Sequence, residues 1–123
     1  LACAATLGSL QVLAEEDVLA SLPEKIATLE NALAETQERC RHFGEVRHVG
    51  LIAGIDLIDQ KTGEALDWTA ETGARVCRAA RKHGLLTRPV RDTLTLMPPL
   101  VVTSKQIREA VEALERASRE ILG

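Results

Sequence analysis

"LLTRPVRDTLTLMPPLVVT", residues Leu85–Thr103, sets two short apolar runs on either side of an arginine-proline elbow and closes the second with a proline pair. Leu85–Arg88 and Thr93–Met97 have the length and the leucine and threonine content of strands, joined through Pro89–Asp92. Pro98 and Pro99 have no backbone N–H, so a strand through Thr93–Met97 must stop before them. Thr103 and Gln106 then stand at the spacing of a capping box, which predicts a helix start. Ile107, Val111, Leu114 and Ile121 recur at helical spacing behind it, with charged residues between them. Two strands, an elbow and a helix within one short segment are the pattern of an α+β domain.

Upstream, "VRHVGLIAGIDLID" (Val46–Asp59) is read as a short strand and a longer one divided by Gly50. Gly54, inside the longer run, predicts a bulge or a close backbone approach. "QKTG", Gln60–Gly63, is a turn. Asp67 or Thr69 is placed to cap a third helix that turns Ala70, Val76, Cys77 and Ala80 inward and ends at Gly84.

The start of the chain is helical. Leu7, Leu10 and Leu13 recur in an Ala-rich helix over Leu1 to Ala14, and "EED" (Glu15–Asp17) breaks it with Asp17 as a possible cap. The next helix carries Leu22, Ile26, Leu29 and Leu33 on one stripe and runs to about Arg41, with Pro23 in its first turn and Gly44 as its terminator. These elements together predict an α+β fold with long helices on one face of a small, mostly antiparallel sheet. The first helix opens without a capping residue, so residues 1–44 are expected to be a helical arm entering from upstream sequence, and 45–123 a small α+β domain. A truncated first helix and an open sheet face would favour self-association.

Composition excludes several classes. The 123 residues suit one domain with a modest core. With a net charge of −3 and arginines interleaved with acidic residues, the chain lacks the clustered basic surface of a nucleic-acid binder. Phe43 and Trp68 are the only aromatic residues, too few for a base-stacking platform or an aromatic cage. No run of about 18 apolar residues is present to span a membrane. Cys3, Cys40 and Cys77 lie in unrelated amphipathic contexts, which suits reduced, mostly buried thiols in a cytoplasmic protein. Cys40 and His42 lack a second ligand pair at metal spacing, so no metal is expected.

Catalytic chemistry is hard to assemble from this chain alone. Lys25, Lys61, Lys82 and Lys105 fall on helix surfaces or in a turn, without the apolar setting that would lower an amine pKa. Gly50 and Gly54 lie within the strand region and make no phosphate loop. His83, just before Gly84, suits a helix C-terminus, where a cation is favoured by the dipole. Arg88 differs from these. Pro89 biases it toward extended geometry at a strand end, where a guanidinium can grip a carboxylate through two parallel hydrogen bonds. A structural ion pair with Asp92 or a helix carboxylate is the other reading.

"GLLTRPVRDTLTLMPPLVVTSKQI", Gly84–Ile107, resembles the C-terminal domain of the class III pyridoxal-phosphate aminotransferases. "LMPPL" with the preceding "RP" is most similar to the biotin-pathway branch that aminates 8-amino-7-oxononanoate. "LACAAT" resembles the family helix that follows a Gly-Asn pair, and "VRHVGLIAGIDLI" the first two small-domain strands. The resemblance implies a homodimer of the fold-type I class acting on small-molecule substrates, a keto acid and an amino donor such as S-adenosylmethionine. It also implies that the Schiff-base lysine, the pyridine-nitrogen aspartate and the phosphate site lie in a large domain outside this sequence. This piece alone is therefore expected to be inactive, with no catalytic or cofactor-binding residue of its own. Arg88 matches the family arginine that binds the substrate carboxylate. Two positions depart from the pattern: Arg91 stands where members usually have glycine, and Thr95 where some biotin-pathway members carry tyrosine. The alternatives are another class III omega-aminotransferase, or a free-standing regulatory or dimerisation module that binds a small acid or a protein.

Overall fold

In the computed structural model, which describes residues 1–123, four helices and four strands follow one another in the chain. They are α1 (Ala2–Glu15), α2 (Leu22–Arg39), β1 (Phe43–Val49), β2 (Ile52–Leu57), α3 (Thr72–Ala80), β3 (Pro89–Val90), β4 (Thr93–Leu96) and α4 (Ser104–Leu122). The strands form one wholly antiparallel sheet in the order β1-β2-β4-β3. The long connection from β2 through α3 lets β4 pair on the free side of β2, and the β3–β4 hairpin leaves β3 at the edge. No helix is long and apolar enough to cross a membrane.

Alternation along the strands decides which face is covered. Ala53, Ile55 and Leu57 of β2 and Leu94 and Leu96 of β4 point to one side and are buried. They meet Leu29 and Leu33 of α2, Val76 and Ala80 of α3, and Ile107, Val111 and Leu114 of α4 in a single core. The amphipathic α4 packs against both α2 and α3. The other sheet face carries Arg47, Asp56, Thr93 and Thr95, with Val49, Ile52 and Met97 exposed among them. The α+β architecture with helices on one face is thus the expected one.

Several local expectations change. Gly44 does not end α2; the helix stops at Cys40, whose extended φ of −106° and ψ of 100° turn the chain directly into β1. Gly44 lies in β1 instead, where an added Cβ would overlap Ile58 Cγ2 at 2.6 Å. The bulge is not at Gly54, which pairs regularly with Arg47 and Thr95, but in β1 between Phe43 and Val46. Gly54 does have a close neighbour, since a Cβ there would stand 3.3 Å from the Thr93 methyl. Asp17 adopts φ 45° and makes no side-chain cap. Asp67 caps the short 3-10 turn Trp68–Ala70, accepting from Thr69 N at 2.9 Å, and leaves Ala70 exposed and α3 without it. The capping box at α4 forms as expected, with Thr103 Oγ1 accepting from Gln106 N and Gln106 Oε1 accepting from Thr103 N. In contrast to the other helices, α1 buries no residue, and Leu7 and Leu10 face outward.

Candidate functional site

The path to Arg88 begins where α3 ends. After a 3-10 turn over Arg81–His83, Gly84 takes φ 83°, a left-handed conformation that a residue without a Cβ adopts freely. Gly84 N then bonds Arg81 O and Leu85 N bonds Ala80 O, which is the paired closure of a Schellman motif. The chain leaves this stop pointing along the sheet edge. Leu85–Arg88 was expected to be a strand, yet β-pairing begins only at Pro89, opposite Leu94. Pro89 is tolerated there because β3 is an edge strand of the sheet.

Side-chain hydroxyls hold the segment that the ladder does not. Thr95 Oγ1 donates to the Arg88 carbonyl at 2.6 Å, and Thr87 Oγ1 donates to the Thr95 carbonyl at 2.5 Å. Beyond this crossing, β4 stops at Leu96, ahead of the proline pair as expected.

Arg88 itself is exposed and makes no ion pair. The expected alternative partner is engaged elsewhere: Asp92 Oδ1 accepts from Gly73 N at 2.7 Å. Arg88 borders an open groove of about 1400 Å³, walled by the 83–88 segment and the first half of α4 and floored by Thr95 to Pro99. Arg81, Gln106 and Arg116 also line it. Arg116 is paired with Glu112 at 3.3 Å, whereas Arg88 presents an unneutralised guanidinium. Such a group offers the paired N–H donors that match the geometry of a carboxylate.

Arg81, on the same groove, also makes no ion pair, while several other titratable groups have structural partners. His83 Nε2 lies 3.4 Å from Glu120 Oε2, and Lys82 shares the same carboxylate at 2.5 Å. The Lys82 hydrogen bond, with a smaller contribution from His83, holds the Glu120 carboxyl below the usual carboxylate range. Cys40 and Cys77 are buried, and burial raises both thiols, Cys77 to about 11; Cys3 is exposed. Lys25 donates to Leu100 O at 2.7 Å, Lys105 pairs with Glu109, and Lys61 lies in the exposed turn after Asp59. No lysine therefore has the apolar setting in which pyridoxal phosphate could be anchored, and the exposed Trp68 offers no enclosed stacking surface. The residues present do not fit that cofactor.

Sequence reasoning singled out Arg88 and the Pro89 that follows it, and Arg88 lines the groove. It overlooked Thr87 and the bond from Gly73 N to Asp92. A threonine facing the residue before an edge proline was the available signal for Thr87 and Thr95, but the register had to be known first.

The family model for class III aminotransferases matches residues 1–118. An adenosylmethionine-8-amino-7-oxononanoate aminotransferase of Geobacter sulfurreducens is 37% identical over 100% of this chain and 27% of its own. The crystal structure of the enzyme of that name from Methanocaldococcus jannaschii superposes with a TM-score of 0.89 at 32% identity, covering 97% of this chain and 27% of that one. A PLP-bound amine transaminase from an uncultivated Pseudomonas species gives a TM-score of 0.87 at 36% identity, covering 98% and 27%. The chain spans about a quarter of the length of these relatives.

Proposed function

The chain belongs to the class III aminotransferases, and from that premise we propose that it is the C-terminal segment of a pyridoxal-phosphate enzyme that aminates 8-amino-7-oxononanoate in biotin biosynthesis. Residues 1–44 are the arm that leads from a large domain, with α2 already packed on α4, and residues 45–123 are the small domain. The cofactor, its lysine and its phosphate site belong to the large domain, where the cofactor supplies the electron sink for amino-group transfer. The segment alone has no transaminase activity. The whole enzyme is a cytoplasmic homodimer that uses S-adenosylmethionine as amino donor.

Arg88 carries this reading. An exposed guanidinium without an acidic partner, held by its own backbone at the rim of a groove, is arranged to receive an anion from outside the chain. Its role is to bind and orient. By gripping the substrate carboxylate it fixes the distance from that end of the molecule to the reacting carbonyl, which converts binding energy into orientation. It neither donates nor removes a proton in the reaction, since a guanidinium stays charged throughout.

A second reading, an omega-aminotransferase of another substrate, is favoured by the amine transaminase, whose 36% identity nearly equals the 37% of the Geobacter relative. Thr95 supports it too, standing where some biotin-pathway members carry tyrosine. A donor and acceptor screen of the full-length protein with pyridoxal phosphate separates the two. Amination of 8-amino-7-oxononanoate by S-adenosylmethionine supports the first; turnover of other amines without any of that product overturns it.

A further inference from the structure

We propose that Thr95, with Thr87, is a positioning residue for Arg88: the two hydroxyls form a crossed clamp that sets the angle at which the guanidinium enters the groove. The inference rests on the reading of Arg88 as the carboxylate-binding group. The register makes the arrangement unusual. Pro89 pairs with Leu94 and Val90 with Thr93, so the next facing pair is Arg88 with Thr95. In an antiparallel hairpin closed by two residues, here Arg91 and Asp92, this pair should exchange both backbone hydrogen bonds. It exchanges neither. The Thr95 hydroxyl takes the Arg88 carbonyl instead, and the Thr87 hydroxyl takes the Thr95 carbonyl.

Both carbonyls are thus satisfied without the ladder, and the 87–88 segment stands away from β4 by the reach of a side chain. That displacement matters because the backbone of Arg88 is otherwise fixed on only one side, by the Pro89 ring. The groove floor and the arginine share one residue, since Thr95 lines the groove as well. A tyrosine at this position would carry its hydroxyl to the far end of a ring, beyond reach of the facing carbonyl. Threonine at 95 therefore gives the arginine a support that a tyrosine there could not.

The test uses the full-length enzyme loaded with pyridoxal phosphate and its keto-acid substrate. Thr95→Val keeps the shape and strand preference of threonine and removes only the hydroxyl. It should raise KM about three- to ten-fold, the effect of losing one neutral hydrogen bond, with kcat little changed. Thr95→Ser should restore the KM, and Thr87→Val should raise it in the same direction. In an Arg88→Ala background, Thr95→Val should have no further effect on KM. An unchanged KM in Thr95→Val and Thr87→Val, with Arg88→Ala still impaired, overturns the clamp and leaves the carboxylate role standing. An equal rise in both backgrounds also overturns the clamp, because the hydroxyl would then act independently of Arg88. An unchanged KM in Arg88→Ala overturns the carboxylate role itself, and the clamp with it.

Discussion

Asp92 Oδ1 accepts the Gly73 backbone N–H at 2.7 Å, so the tight turn between β3 and β4 caps the N-terminus of α3 across 19 residues of chain. The helix has no cap of its own: Glu71, at its N-cap, takes φ 49° and makes no side-chain bond to it. Removing this acceptor with Asp92→Ala should cost about 0.5–2 kcal/mol of stability, the usual value of a lost N-cap. Asp92→Asn keeps an acceptor oxygen and should lose much less. Urea unfolding of the two variants in the full-length protein checks the difference.

Gly73 is in the first turn of α3, where exchanging glycine for alanine ordinarily stabilises a helix by about 1 kcal/mol. Here the sign should reverse. A Cβ at this position would overlap the Arg91 carbonyl and stand 3.0 Å from Pro89 Cβ. Gly73→Ala should therefore destabilise by about 1–3 kcal/mol, the cost of overpacking, and loosen the turn that carries Asp92. A rise in the unfolding midpoint would contradict the contact.

Arg91 holds φ 56°, a left-handed conformation in which the Cβ of an L-residue crowds the following carbonyl. The turn thus keeps the geometry that glycine supplies, without the glycine. Arg91→Gly should relieve more strain than it adds in unfolded-chain entropy, a net gain of roughly 0.5–1 kcal/mol. A thermal shift upward, with KM for the keto acid unchanged, is the expected result.

Asp56 sits on the open sheet face, gripped by both terminal nitrogens of Arg47 at 2.6 and 2.8 Å and by Thr93 Oγ1 at 2.6 Å. The Arg47 hydrogen bonds, followed by that of Thr93, hold its carboxyl below the ordinary range. A group depressed on folding contributes stability above its unfolded pKa, near 4, and loses it as pH falls through the lower folded value. Asp56→Asn should therefore flatten that part of the acid-unfolding curve. An acid limb identical to that of the unmodified protein would contradict the pairing.

What the sequence made legible was local. The capping box at Thr103 and Gln106, the stripe of Ile107, Val111 and Leu114, and the stop at the proline pair all depend on neighbours in the chain, and they formed as read. Gly44 misled because a glycine after a helix resembles a terminator, whereas its reason is the Ile58 side chain packed over it from beyond the next strand. Leu85–Arg88 has strand composition, but composition cannot say that Thr87 and Thr95 hydroxyls replace the ladder there. The site divides in the same way. Arg88 could be picked out from the proline beside it, while the freedom of its guanidinium depended on Asp92 being bound to Gly73, a tertiary fact.

The central claim is that Arg88 grips a carboxylate, and the most direct measurement compares KM for the keto-acid substrate with KM for its uncharged carboxamide analogue in Arg88→Ala full-length enzyme. A charge-assisted hydrogen-bonded contact is worth about 1.5–3 kcal/mol, or roughly ten- to more than a hundred-fold in binding. The account predicts a rise of that size for the acid, little change for the carboxamide, and partial recovery with Arg88→Lys, which restores the charge without the paired geometry. An unchanged KM for the acid, or an equal rise for both substrates, would contradict it.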